Sequence, residues 1–174
     1  VVIAETLSLA PSLDPKELYR SHYPRLYRFA LAFSGSETLA AEAVQEAFLD
    51  LLRSPGIVDP ARGSAIALLY GMVRNRLRRS RRLEREEPLE TDEAADEDLL
   101  VDLVRAERVE AVRAAIASLP EHYREVVLLC EIEECSYEDA AAAIGVPLGT
   151  VRSRLSRAKV QLRARLKEFD HETL

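Results

Sequence analysis

No apolar run in this 174-residue chain approaches the roughly 18 residues that a membrane helix needs. Its opening, VVIAETLSLAPSLDP, has neither the basic flank nor the long apolar core of a secretory signal. Membrane insertion is therefore not expected, and a cytoplasmic location is. Two cysteines, Cys130 and Cys135, and three histidines, His22, His122 and His171, are too few and too scattered for a usual zinc constellation. No nucleophile and base set, phosphate-cradling glycine loop or metal motif stands out either, so catalysis, a cofactor and a bound metal are not expected. Only 6 Gly and 8 Pro, with 48% hydrophobic and 31% charged residues, describe a soluble chain that favours helices. The length suits one medium domain or two small helical ones.

A net charge of -6 argues at first against a polyanionic partner, but that figure is an average. Gly71 to Arg85 holds seven Arg and one Glu, a local excess of +6. Glu86 to Glu110 holds eleven acids against Arg105 and Arg108, or -9. Near the C-terminus Arg152, Arg154, Arg157, Lys159, Arg163, Arg165 and Lys167 form a second basic stripe with no acid among them. Two basic stretches flanking an acidic tether are what separate nucleic-acid surfaces leave in a sequence, although a solvated helix face would account for either one alone.

Apolar residues recur at helical spacing from Lys16 to Phe33, and Gly35 ends that first helix. Ser36 opens a second over Glu37 to Leu52, with Leu39, Ala43, Ala47 and Leu51 near one face beside Val44 and Phe48. A third runs from Arg62 to Arg82, apolar early and basic late. The stretch EREEPLETDEAA, from Glu84, is acidic, holds a proline and lacks apolar periodicity, which marks a linker. Periodicity resumes over Leu99 to Leu119, and Pro120 restarts the chain as the helix EHYREVVLLCEIE. The expected fold is all-α: two small helical domains, at 13–83 and 99–168, joined by the acidic linker 84–98. No internal repeat or strand-like alternation competes with the helices.

The back domain carries the most specific local pattern. Ser136 is expected to cap a short helix, with Asp139 closing a capping box and Ala140, Ala141 and Ile144 packing inward. Gly145 ends it, and Pro147 suits the first turn of the next helix. Gly149 and Thr150 fall where bulk would obstruct another helix or a phosphate backbone. Helix, tight turn and basic helix spell a helix-turn-helix. Val151, Leu155, Ala158 and Leu162 should face inward in its second helix, leaving Thr150, Arg152, Ser153, Ser156 and Arg157 outward as a face of major-groove size. Arginine pairs bidentately with guanine, which makes Arg152 and Arg157 candidate base readers with Ser153 in support. Arg154, Lys159, Arg163 and Arg165 are assigned instead to phosphate or to acids of the same fold.

The segment LPEHYREVVLLCEIEECSYEDAAAAIGVPLGTVRSRLSRAKVQLRARL closely resembles the fourth conserved region of the extracytoplasmic function sigma factors of bacterial RNA polymerase. Upstream, LYRSHYPRLYRFALAFSGSETLAAEAVQEAFLDLL and DPARGSAIALLYGMVRNRLRR resemble their second region, so the likeness runs from about Leu13 to Leu166. It implies a front domain that binds the core polymerase clamp and opens the minus-ten element. The back domain would read the minus-thirty-five element as duplex. By the same resemblance Glu42, Gln45 and Glu46 match the clamp-binding helix, where acidic and amide groups meet a basic coiled coil. Asp59, Arg62 and Gly63 fall where the minus-ten loop begins, with Asn75, Arg76, Arg78 and Arg79 on the helix beneath it. An anti-sigma partner is also implied.

One departure stands out. Family members often carry aromatics near FRAWLYRIARN, whereas this chain has AIALLYGMVRN and no Trp. Only Tyr70 remains of that cluster, which puts the strength or independence of promoter melting in question. Tyr19, Tyr23, Tyr27 and Phe29 are assigned to helix packing rather than base stacking. Two other readings stay open: a regulator using only the helix-turn-helix, and a sigma-like decoy that binds an anti-sigma protein but not polymerase. The first has no need of the AEAVQEAF helix or the arginines from Arg74 to Arg82, and the second little use for Arg152 and Arg157. Cys130 and Cys135 are five residues apart, a spacing that does not face across one helical turn, so one buried and one exposed thiol are expected.

Overall fold

The structure, a computed structural model, describes residues 15–54, 57–58, 64–86 and 103–172. Helix α1 spans Pro15–Ser34 and closes at Gly35, whose φ of 75° is the left-handed conformation that glycine adopts without steric cost. The Gly35 N–H reaches back to the Leu31 carbonyl at 2.8 Å. Ser36 then caps α2, Glu37–Arg53, its hydroxyl accepting from the Leu39 amide at 3.3 Å. Helix α3, Ala65–Glu86, begins beyond the expected Arg62 and continues through the first residues of the acidic stretch, 84–86. Arg62 itself lies outside the described residues, as does most of the linker.

The back half comprises α4 (Leu103–Ala117), α5 (Glu121–Val127), α6 (Tyr137–Ile144) and α7 (Leu148–Glu172). The chain leaves α5 through a π turn at Leu128–Ile132, where the Glu133 amide donates to the Leu128 carbonyl at 2.9 Å. A regular helix was expected there. The wider turn shifts the helical register and ends at Glu134, a non-glycine residue with φ 53°. Among the described residues there is no strand, and no helix is long and apolar enough to cross a membrane.

Helices α1, α2 and α3 share Leu26, Phe29, Phe33, Val44, Leu69 and Leu77, all at most 1% exposed. Each side chain of that size removed from water contributes about 1.5–3 kcal/mol. The tyrosines of α1 pack as expected: Tyr19 meets the Phe48 ring edge-on at 4.9 Å, and Tyr23 stacks on Tyr27. In the back half Leu119, Val126, Leu129, Ala140, Val151 and Leu155 pack together. These two apolar sets are continuous with each other, because α3 lies against α6 and α1 against the π turn.

Candidate nucleic-acid interface

Local chemistry positions the helix-turn-helix. The Ser136 hydroxyl accepts from the Asp139 amide at 3.0 Å and caps α6. The capping box closes differently from expectation: the Asp139 carboxylate receives the Ser136 hydroxyl at 3.0 Å and the Ser64 hydroxyl at 2.6 Å. Gly145 ends α6 with φ 75°, and the amides of Gly145 and Val146 both close on the Ala141 carbonyl. Ala143 packs inward alongside Ala140 and Ile144, while Ala141 is half-buried. The Pro147 carbonyl then accepts from Thr150 at 2.8 Å and starts α7. A side chain at Gly149 would meet nothing of this chain within 4 Å, so the space there is reserved by no neighbouring helix.

Two sides of α7 have opposite surroundings. Val151 and Ala158 are 0% exposed and Leu155 3%, fixing the helix on α5 and α6, with Leu162 half-buried beside them. Arg152, Ser153, Ser156 and Arg157 are exposed, and Thr150 is half-buried. The Ser153 hydroxyl donates to the Thr150 carbonyl at 3.1 Å, leaving its oxygen to accept from a ligand. Among the described residues Arg152 and Arg157 have no carboxylate partner. Of the cations assigned to phosphate or to acids of the fold, Arg154 pairs with Glu125 at 3.1 Å and Lys159 with Glu131 at 2.9 Å, whereas Arg165 bonds the Ser118 hydroxyl and Arg163 is exposed with no carboxylate partner among the described residues. Lys159 is held above the ordinary lysine range by its hydrogen bond to Glu131.

On α2, Glu42, Gln45 and Glu46 are all exposed on one side. Leu49 and Leu52 continue that line at helical spacing and are 36% and 52% exposed. Sequence reasoning named only the acidic and amide groups, although the unpaired leucines at positions i+4 and i+7 from Gln45 were a readable signal. Such a face, charged at one end and apolar at the other, suits a protein partner.

Helix α3 keeps few of its cations free. Arg76 pairs with Glu46 at 3.1 Å and with Asp50, so residues assigned to two different partners bind each other. Arg78 meets Glu121 at 2.7 Å. Arg74, 7% exposed, donates to Glu125 at 2.6 Å and to the Asn75 side-chain oxygen at 3.1 Å. Asn75 and Arg79 are exposed, and Arg79 has no carboxylate partner among the described residues. Asp59, Arg62 and Gly63 lie outside the described residues. Tyr70 is 1% exposed, meets Phe29 edge-on at 5.2 Å and donates to Glu133 at 3.3 Å, so it offers no stacking surface here. Burial, then the Glu133 charge, raises its phenol well above the usual range.

Both cysteines are free and half-buried, instead of one buried and one exposed. Burial first pushes each thiol up to about 11. Among the described residues no group of His, Cys, Asp and Glu is arranged to hold a metal ion.

Residues 18–87 match the family described as Sigma-70 region 2, and residues 109–162 that described as Sigma-70, region 4. The chain is 35% identical over 146 residues to the ECF RNA polymerase sigma factor EcfG of Rhodopseudomonas palustris, covering 82% of this chain and 80% of that protein. It is 37% identical over 168 residues to the ECF RNA polymerase sigma factor SigE of Mycolicibacterium smegmatis, covering 94% of this chain but 65% of that relative's length. In the solved complex of the sigma factor RpoE with the anti-sigma factor NepR from Bartonella quintana, RpoE aligns with a TM-score of 0.70 at 26% identity. That match covers 87% of this chain and 96% of RpoE. CnrH, solved with the cytosolic domain of CnrY, aligns at 0.66 with 26% identity over 88% of each chain. The chain belongs to the extracytoplasmic function sigma factors of RNA polymerase.

Proposed function

We propose that this sigma factor binds core RNA polymerase, directs it to promoters and initiates transcription without catalysing a reaction itself. The front unit, residues 13–83, engages polymerase through Glu42, Gln45, Glu46, Leu49 and Leu52. The same unit opens the minus-ten element through Asp59, Arg62, Gly63 and the α3 residues Asn75, Arg76, Arg78 and Arg79. Residues 84–98 tether it to the back unit, 99–168, whose Thr150, Arg152, Ser153, Ser156 and Arg157 read the minus-thirty-five duplex. An anti-sigma protein is a further partner, as in the solved complex of RpoE with the anti-sigma factor NepR. Its working place is the cytoplasm, where polymerase is.

The observation that carries this reading is the pair of guanidiniums on the outward side of α7, exposed and without a carboxylate partner among the described residues, on a helix whose other side is locked into a helix-turn-helix. A helix with that face free fits the major groove, and arginine there reads guanine. The exposed charged and apolar face of α2 separates a sigma factor from a regulator that uses only the back unit. Transcription with purified core polymerase on a promoter library tests the whole assignment, and no initiation above core alone would overturn it. Within it, Glu46→Ala should weaken polymerase association several-fold, with duplex binding unchanged. Unaltered polymerase affinity would reject the α2 face.

A further inference from the structure

We propose that Cys130 and Cys135 form a dithiol site which a hydroperoxide closes into a reversible disulfide, and that this bond pins the turn between α5 and α6.

Residues five apart on a regular helix point about 140° away from each other, which would keep these two thiols separate. The backbone between them takes another path. The π turn at Leu128–Ile132 is followed by Glu134 in the left-handed region, φ 53°, and the chain folds over until the Cys135 amide donates to the Leu129 carbonyl at 2.9 Å. Leu129 is bonded directly to Cys130, so its carbonyl oxygen lies about 2.8 Å from the Cys130 Cα. A straight hydrogen bond from the Cys135 amide to that same oxygen holds the two cysteine Cα atoms within about 6.6 Å of each other. Disulfides bridge Cα separations of about 4.4–6.8 Å.

The surroundings agree with this geometry. Both thiols are free and half-buried. After burial, the charge that acts most on Cys130 is that of Cys135, ahead of Glu131 beside it in sequence, and such effects weaken with distance. Lys159 also acts on Cys130, while Arg25, Tyr70, Glu133 and Asp139 surround Cys135. Among the described residues no group of His, Cys, Asp and Glu that could hold a metal includes them, which leaves the chemistry of a thiol pair. A low thiol pKa stabilises the reduced form of a dithiol, and burial, by raising both thiols to about 11, withdraws that stabilisation here.

The oxidation balances between the two thiols and one peroxide. One thiol gives up its proton, its thiolate attacks a peroxide oxygen, the O–O bond breaks, and a sulfenic acid forms as hydroxide leaves. The second thiol, deprotonated in turn, attacks that sulfur; the S–S bond forms, the S–O bond breaks and a second hydroxide leaves. The two thiol protons convert both hydroxides to water, and two electrons have passed from the sulfurs to the peroxide. A small dithiol reverses the change by exchange. Burial keeps the first step slow near neutral pH, whereas the second is intramolecular. The bond ties the π turn to the residue before Ser136, whose hydroxyl caps α6, and so fixes the entry into the helix-turn-helix.

The test treats the full native chain with excess hydrogen peroxide at mildly alkaline pH and reads intact mass and thiol titre. The monomer should lose the mass of two hydrogens together with both alkylatable thiols, and dithiothreitol should restore them. Cys130→Ser and Cys135→Ser should each abolish that loss and leave the remaining sulfur as a sulfenic acid that dimedone traps. Equilibrated with glutathione, the native chain should favour the disulfide at least about 10-fold more than the same chain in urea, because the fold turns Cys135 back onto Leu129. Hydrogen exchange at the Glu133 and Cys135 amides should slow about 10-fold on oxidation. A wild type that keeps both thiols, takes up oxygen on separate sulfurs or links to a second chain would overturn the site. Equal equilibria in native and unfolded chain would overturn the part played by the fold, and unchanged exchange would overturn the pinning.

Discussion

Helices α3 and α7 are both arginine-rich, yet the cations assigned to DNA differ between them. Three arginines of α3 are committed to acids of the same chain: Arg74 to Glu125, Arg76 to Glu46 and Asp50, Arg78 to Glu121. On α7, Arg154 and Lys159 are likewise committed, whereas Arg152 and Arg157 are exposed and have no carboxylate partner among the described residues. The cause is position in the fold. Helix α3 packs against α1, α2 and α6, so acids approach it from several directions, while α7 packs on α4, α5 and α6 and keeps one side clear. A basic run therefore marks a nucleic-acid surface only after the carboxylates around it have been counted.

Exchanging one arginine on each helix breaks this comparison most sharply. Arg74→Ala leaves the Glu125 carboxylate buried with only Arg154, and losing one partner of a buried pair costs about 3–5 kcal/mol. Arg152→Ala removes an exposed cation and should change stability by less than about 0.5 kcal/mol. Thermal or urea unfolding separates the two, and equal destabilisation would show that both helices carry their charge in the same way. Arg157→Ala sharpens the other half of the contrast. It should weaken minus-thirty-five duplex binding by about 1–3 kcal/mol, roughly 5- to 150-fold, and relax selectivity at one base position. Stability and polymerase affinity should stay at wild-type values, and equal loss of duplex and polymerase binding would sink the base-reading role.

What was legible in the sequence is what local chemistry dictates. Gly35, Ser36, Ser136 and Gly145 punctuate the helices as expected, because a cap or a left-handed turn depends on neighbours within a few residues. The outward face of α7 was legible for the same reason: Val151, Leu155 and Ala158 set its register. Glu125 and Glu133 were not. In EHYREVVLLCEIEE they look like solvated charges of an amphipathic helix, and their partners stand far away in sequence: Arg74, 51 residues from Glu125, and Arg25, 108 residues from Glu133. The π turn that presents Glu133 to α1 has no side-chain signature of its own. Gly71 likewise signals only a weak point in a helix until α6 is placed against it.

The two thiols report the same contrast at its smallest scale, Cys135 beside Arg25 and Tyr70 of α1 and α3, and Cys130 beside Lys159 of α7. Burial pushes both up to about 11 from an ordinary 9.0, against an opposing downward pull from Arg25 of α1 on Cys135 and from Lys159 of α7 on Cys130. A thiol whose pKa is raised by folding keeps its proton where the unfolded chain has lost it. The folded form therefore binds more protons between about pH 9 and 11, and the thiols' contribution to stability, complete below pH 9, declines across that window. Thermal midpoints should fall across that range by more in wild type than in a Cys130→Ala, Cys135→Ala double variant. At pH 7.5 little thiolate is present, so alkylation of the native chain should be slow at both positions. Gly71→Leu should push α6 off α3, because even a Cβ at that position would lie 3.0 Å from the Ala143 carbonyl oxygen, exposing the surroundings of Cys135 and leaving those of Cys130 packed. Site-resolved alkylation should then quicken at Cys135 alone, and equal acceleration at both would mean that the variant loosens the back unit itself instead of parting it from α3.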